Sequence, residues 1–394
     1  MRSPLEDGAA AYQRGDYATT LRIFQSLATQ GNVEAQYNLG VMYYNSPGVT
    51  PDYAEALKWF RLAAAQGYAA AQYNLGLMYA KGQGVAQDYA EAVKWFRLAA
   101  AQGYAGAQSN LGLMYSKGLG VAQNYAEALK WFRLATAQGL ADAQNNLGLM
   151  HSKGEGVAQN YAEAFKWFRL ATAQGNAGAQ FNLGVMYDNG QGVAQNYAEA
   201  LKWYRLAAVQ GDAKAQYNLG VMYDQGRGVA QNYAEAVKWY RLGAAQGLAA
   251  AQNNLGLMHS KGEGVAQNYA EAFKWFRLAT AQGNAGAQYN LGLMYAKGQG
   301  VAQSDTEALK WYRLAAAQGD AEAQYNLGLM YGKGQGVTQD YVRAHMWSNL
   351  AAASGDADAV KNRDIAAKRM TPQQIAEAQK MASDCQQRKL KGCD

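Results

Sequence analysis

Several residue types and patterns are scarce in this sequence, and each scarcity closes off a class of chemistry. Two cysteines occur in 394 residues, Cys385 and Cys393, both near the C-terminus. They are open to two readings: a small disulfide loop in an oxidising compartment, or two unpaired tail thiols. Four prolines leave long stretches free to be helical, and three histidines (His151, His259, His345) are too few and too scattered for a metal or catalytic constellation. No run approaches the roughly 20 apolar residues of a membrane helix, so no transmembrane segment is expected. The first residues, MRSPLEDGAAAYQRGDY, have no apolar core of a signal peptide. The 36 basic residues exceed the 30 acidic ones by only 6. That balance describes a solvated, slightly basic surface, and no nucleic-acid partner is expected from it.

What is abundant is repetition. The stretch Ala69 to Gly103 returns with small edits every 36 residues, so that all nine tryptophans, from Trp59 and Trp95 through Trp203 to Trp347, share one repeat position. The period divides the chain into an N-terminal capping half-repeat (1–31), nine full units (32–355) and two C-terminal capping helices (356–394). Ile23 stands at the Trp position of the half-repeat. Residues 140–184 and 248–292 differ only at Asp142 against Ala250 and at Phe181 against Tyr289. Copies so nearly identical have had little time to specialise, which argues against a unique catalytic centre in either.

Each unit reads as two helices of about 12 to 14 residues, a length that is marginal in isolation and must be stabilised by stacking. In the first, Ala71, Leu75, Met78 and Tyr79 fall at the 3 and 4 spacing of one buried stripe. Gly76 interrupts that stripe, and since a helical Gly costs about 0.8–1 kcal/mol relative to Ala, a neighbour should approach closely there. Gly82-Gln83-Gly84-Val85 is the turn, its Val pinning the loop to the core. Asp88 with Glu91, or Asn124 with Glu127, resembles a capping box opening the second helix. That helix should carry Tyr89, Ala92, Trp95, Phe96 and Ala99 inward and stop at Gly103. The predicted fold class is therefore all-α, a solenoid of antiparallel helix pairs.

The string A-x-A-Q-x-N-L-G-x-M-Y, then G-x-G-V, then Y-A-E-A-x-K-W-x-x-x-A-A-x-Q-G resembles the Sel-one-like repeat, a longer-looped relative of the tetratricopeptide repeat. The likeness covers residues 32–355. It implies a right-handed superhelix whose first helices line a concave face and which serves as an adaptor or assembly scaffold. Bacterial members are often extracytoplasmic. With the cysteine pair, this sets the expectation of a periplasmic or secreted protein whose signal peptide is absent from this chain. Local departures are Ser46 and Pro47 in the first turn, Asp305 in place of a Tyr, and His345, Met346 and Ser348 in the last second helix. One branch carries a cysteine pair in every repeat together with cell-wall or β-lactam binding; that pair is missing here.

The turn glycines do not form a phosphate loop, because no strand precedes them and no Gly-Lys-Ser/Thr follows. No cofactor is expected. A ladder of Lys58, Lys94, Lys130 and their equivalents, with Arg61, Arg97 and Arg133 beyond, is partly neutralised by Glu55, Glu91 and Glu127 three residues earlier. The more informative row is Asn38, Asn74, Asn110, Asn146, Asn182, Asn218, Asn254, Asn290 and Asn326. By the tetratricopeptide resemblance this position faces the groove, where an amide can both donate to and accept from a peptide backbone. A structural Asn bonding a neighbouring repeat is the other reading, and both stand. The preceding position varies, with Tyr73, Tyr217 and Tyr289 as candidate contacts. The expected function is non-catalytic binding of a protein or peptide segment, in cell-envelope assembly or host interaction. The alternatives are cell-envelope polysaccharide or peptidoglycan binding and, further behind, a cell-wall hydrolase.

Overall fold

Asp52, Asp88 and Asn124 each precede a helix with extended backbone, and each side chain accepts from backbone N–H groups two or three residues on. These caps fix where the second helix of every repeat begins. The structure is a computed structural model that describes residues 3–45, 47–390 and 392–393. Ser46, expected to disturb the first turn, lies outside the described residues. Among these residues there are twenty-two helices and no strand. The first six are α1 (Pro4–Gln13), α2 (Tyr17–Thr29), α3 (Val33–Asn45), α4 (Tyr53–Ala65), α5 (Ala69–Lys81) and α6 (Tyr89–Ala101), and the α5–α6 pattern then recurs at the 36-residue period.

The chain forms two compact units, Met1–Gln195 and Asn196–Asp394. In each, the second helix of a pair packs on its own first helix and on the first helix of the next pair. The core between α5 and α6 is built from Ala71, Leu75, Met78, Ala92, Phe96 and Ala99, all fully buried. Small alanines let the helices approach; Leu, Met and Phe fill what remains. The expected close neighbour of Gly76 is the Phe96 ring, whose Cε1 would lie 2.6 Å from an added Cβ.

The turn after α5 works through two left-handed glycines. Gly82 (φ 68°) ends the helix by donating to the Met78 carbonyl, and Gly84 (φ 70°) lies so close to the preceding repeat that a Cβ would sit 2.5 Å from the Tyr53 carbonyl oxygen. Val85 packs against the core, as its apolar character suggested. The second helix ends in a Schellman arrangement, with Gly103 donating to Ala100 O and Tyr104 to Ala99 O.

Two expectations need refinement. Trp95 and Phe96 are both expected inward, and through most of the array the more enclosed of the pair is the one after the Trp, although Trp59, Trp239 and Trp347 are buried too. Phe60, Phe96, Phe132, Phe168, Tyr204, Tyr240, Phe276 and Tyr312 are at most 3% exposed, whereas Trp95, Trp131, Trp167, Trp203, Trp275 and Trp311 are only half-buried. The ring after the Trp plugs its own first helix, as Phe96 does at Gly76, while the Trp packs at the edge of the core before it, as Trp95 does against the cluster of Phe60, Leu75 and Met78. The capping box is also only half made. The Asp88 N–H already donates to the Tyr79 carbonyl at 2.9 Å, so the Glu91 carboxylate turns to Lys94 instead. Among the described helices, complete boxes occur at Ser3 with Glu6 and at Thr371 with Gln374.

At the C-terminal end, Ser348 stands where earlier repeats have Phe or Tyr and Met346 where they have Lys; both are fully buried. Asn362 Nδ2 donates to Ser348 Oγ at 2.7 Å from the helix Ala357–Ala367. The helix Pro372–Gln387 packs over the same Tyr341–Ala352 helix. Beyond it the sulfurs of Cys385 and Cys393 are bonded, with Cα atoms 5.3 Å apart.

Candidate functional site

The Asn row lies on the first helix of each pair, at the position before the buried Leu39, Leu75 or Leu111, and every member is half-buried. Half-burial leaves one side of each amide available to bond along the stack. Asn110 Nδ2 donates to Tyr73 Oη at 3.3 Å, Asn182 Nδ2 to Asn145 Oδ1 at 2.9 Å, and Asn290 Nδ2 to Asn253 Oδ1 at 3.0 Å. Each bond joins one repeat's Asn to the variable residue of the repeat before. Asn74 faces the Tyr37 hydroxyl, Asn254 that of Tyr217, and Asn326 that of Tyr289 in the same manner. The result is a ladder of polar rungs between neighbouring first helices. Asn218 is the first of the row in the second unit.

The tyrosines at the variable position are held by their rings. Tyr73 sits 6.0 Å from Phe96 and 4.9 Å from Tyr104, Tyr217 lies 6.0 Å from Tyr240, and Tyr289 lies 5.9 Å from Tyr312, all tilted. Burial raises the hydroxyl pKa of Tyr73, Tyr217 and Tyr289 above the usual phenol value. A neutral hydroxyl both donates and accepts, which suits a rung.

Two rungs of the first unit are missing. Ser109 replaces Tyr before Asn110, leaving Asn146 with no side chain to reach. The residue that precedes Asn38 in the ladder register is Leu5 of α1. Among the described residues neither Asn38 nor Asn146 makes a side-chain hydrogen bond, so both amides keep their full capacity.

The Lys row behaves as its Glu neighbours suggested. Lys58, Lys130, Lys202 and Lys310 pair with the Glu three residues earlier at 3.1, 3.7, 3.4 and 3.3 Å. Such exposed pairs contribute little. The Arg row has a role that spacing did not reveal: Arg61 Nη2 donates to Tyr79 Oη and Arg97 Nη2 to Tyr115 Oη, both at 2.7 Å, tying each second helix to the next repeat. His151 and His259 occupy that Tyr position, and each has a buried Nδ1 without a partner among the described residues.

Sequence reading also passed over the glutamines. Gln72 is 4% exposed; its amide donates to Ala64 O, and its oxygen accepts from Gln102 Nε2 at 2.8 Å. Gln102 also donates to Gly67 O of the previous repeat at 2.9 Å. The signal was present in the strict recurrence of Gln in A-x-A-Q and in Q-G, since a buried amide is kept only where it is fully bonded.

Among the described residues no group of three or more His, Cys, Asp or Glu is placed to hold a metal ion, and no helix is long and apolar enough to cross a membrane.

A family model described as the Sel1 repeat matches nine consecutive segments: 33–68, 69–104, 105–140, 141–176, 177–212, 213–248, 249–284, 285–320 and 321–356. The crystal structure of a protective antigen present in uropathogenic Escherichia coli strains, displaying an SLR fold, is 34% identical over 95% of this chain and 96% of that one, with a TM-score of 0.49. A Sel1 repeat protein from Oxalobacter formigenes is 36% identical over 62% of this chain and 96% of its own, with a TM-score of 0.55. Among curated proteins none matches.

Proposed function

Since the chain belongs to the Sel1 repeat family, we propose that it is a non-catalytic scaffold that binds an extended protein segment along the first-helix face of its repeats. The observation that carries this reading is the row of half-buried Asn side chains on that face, with Asn38 and Asn146 left unbonded. An amide that offers a donor and an acceptor matches a peptide backbone, and a row of them matches an extended one. We read the helices of 1–31 and 356–394 as caps, each lying against the terminal repeat of its own unit. Cell-envelope polysaccharide remains the alternative ligand, with Tyr73, Tyr217 and Tyr289 as its contacts, but their rings are already engaged by neighbouring aromatics.

Each hydrogen bond from an amide to the ligand backbone contributes about 0.5–1.5 kcal/mol net, so affinity requires several repeats. The test is a capture experiment with the intact chain, followed by calorimetry of the captured segment, as a synthetic peptide, against Asn110, Asn146 and Asn182 replaced jointly by Ala. More than tenfold weakening is expected. Undiminished binding in the triple variant places recognition elsewhere and overturns the reading. Capture of oligosaccharide without peptide selects the alternative.

A further inference from the structure

We infer that the cavity at the interrupted rung between Asn110 and Asn146 is a subsite for a basic side chain, a Lys ammonium or an Arg guanidinium, of the extended segment; this rests on the scaffold reading above. The cavity encloses about 200 Å³ and is lined by Ser109, Asn110, Leu113, Asp142, Asn145 and Asn146. It exists because one side chain is small. Where neighbouring repeats place the ring of Tyr37 or Tyr73, this repeat has Ser109, which is 7% exposed and fills almost none of that space.

The chemistry of the wall is that of an acceptor set. Asp142 Oδ1 accepts from Asn176 Nδ2 at 2.7 Å, and its carboxylate has no basic partner among the described residues. Asn145 Oδ1 accepts from Asn182, Asn110 has spent an N–H on Tyr73, and Asn146 is unbonded. The Asp142 carboxylate, exposed in the first turn of the helix Ala141–Lys153, stands beside several amide oxygens and favours a cationic donor over a neutral one, since a charge-assisted hydrogen bond is about twice as strong as a neutral one.

The near-duplicate block supplies an internal control. Residues 248–292 repeat 140–184, yet Ala250 replaces Asp142. The repeat before it carries Tyr217, so the rung to Asn254 is made. The same local sequence therefore occurs once with Asp142 and the small Ser109 before it, and once with Ala250 and the larger Tyr217.

Asn38, three repeats before Asn146, is another member of the row without a side-chain hydrogen bond among the described residues. It borders a second cavity of about 270 Å³ lined by Ala9, Tyr12, Gln13, Phe24, Val41 and Met42, a mainly apolar setting.

The test titrates N-acetyl-arginine amide and N-acetyl-norleucine amide into the full chain and follows the side-chain amide resonances of Asn110, Asn145, Asn146, Asn253 and Asn254. The arginine probe should move the first three saturably and the last two not at all. The norleucine probe should move none. Asp142→Ala should weaken the arginine response at least tenfold, and Ser109→Tyr, which fills the cavity as the neighbouring repeats do, should abolish it. Equal response to both probes, response at Asn254, or indifference to Asp142→Ala overturns the subsite. Since no peptide partner is used, the titration reads the cavity by itself. Captured peptides without basic residues would overturn the subsite and leave the scaffold reading intact.

Discussion

Gly76 and Phe96 are matched as a hole and its plug: the face of α5 that lacks a Cβ receives the edge of the ring on α6, with Cε1 2.6 Å and Cδ1 2.7 Å from where a Cβ would stand. The pairing recurs at Gly40 with Phe60, Gly148 with Phe168 and Gly256 with Phe276. It accounts for a glycine that helix propensity alone disfavours.

Gly76→Ala therefore sets two effects against each other. The substitution gains about 0.8–1 kcal/mol of helix propensity but overpacks a filled site, which costs about 1–3 kcal/mol. A net loss is expected in urea unfolding, and a net gain would show that the ring moves aside freely. Phe96→Ala should cost about 3–5 kcal/mol. Trp95→Ala, which removes a half-buried ring, should cost less, about 2–3 kcal/mol by area. The reverse order would return the Trp row to the centre of the interface.

Asn110 and Asn146 occupy equivalent positions one repeat apart, but only Asn110 bonds the preceding repeat. Asn110→Ala should lower stability by about 0.5–1.5 kcal/mol, whereas Asn146→Ala should leave the urea midpoint unchanged. Equal losses would mean that the amides act through something other than the rungs.

Burial is the largest cause holding the imidazole pKa of His151, His259 and His345 below 6.5; Arg133, Arg241 and Arg363 add to it, and Glu163, Glu271 and Asp364 oppose it. The unfolded chain binds protons that the folded chain refuses, so stability is full above about pH 6.5 and falls as pH drops below it. The thermal midpoint should decline between pH 7.5 and 5.5. His151→Tyr with His259→Tyr should flatten that slope and give Arg133 and Arg241 the hydroxyl acceptor that Arg97 has in Tyr115. An unchanged slope would assign the effect to other groups.

Reducing the Cys385–Cys393 bond should loosen the end of the chain rather than the repeats. Closing so short a loop contributes about 2–3 kcal/mol in the chain-entropy account. Hydrogen exchange should accelerate in Pro372–Gln387 and stay constant through Ala69–Ala101. Free thiols in protein purified from its natural compartment without reductant would contradict the bond seen in the structure.

The helices, their caps and the left-handed turns were legible because each depends on residues within a few positions of one another: Asp88 caps its own helix, and Gly82 and Gly84 shape their own loop. The interface was less legible. Trp95 and Phe96 are adjacent and both aromatic, and only the direction of the neighbouring helix decides which is enclosed. The rungs were hidden for a related reason, since Asn110 with Tyr73, Gln102 with Gly67 and Arg61 with Tyr79 join residues 18 to 37 positions apart. The Asn row was recognised as a row, but whether its members bond one another or a ligand depends on the variable residue one repeat away.

Through the first unit the glutamine bonds recur: Gln66 to Gly31, Gln102 to Gly67, Gln138 to Gly103 and Gln174 to Gly139. Junctions closed by the same bonds should yield at similar loads when the chain is pulled from its ends. Within the first unit the molecule should then lengthen in even steps, each releasing one 36-residue repeat, about 120–130 Å of extended chain. It would act as a ratcheted tether that gives way one hairpin at a time and rewinds when the tension drops.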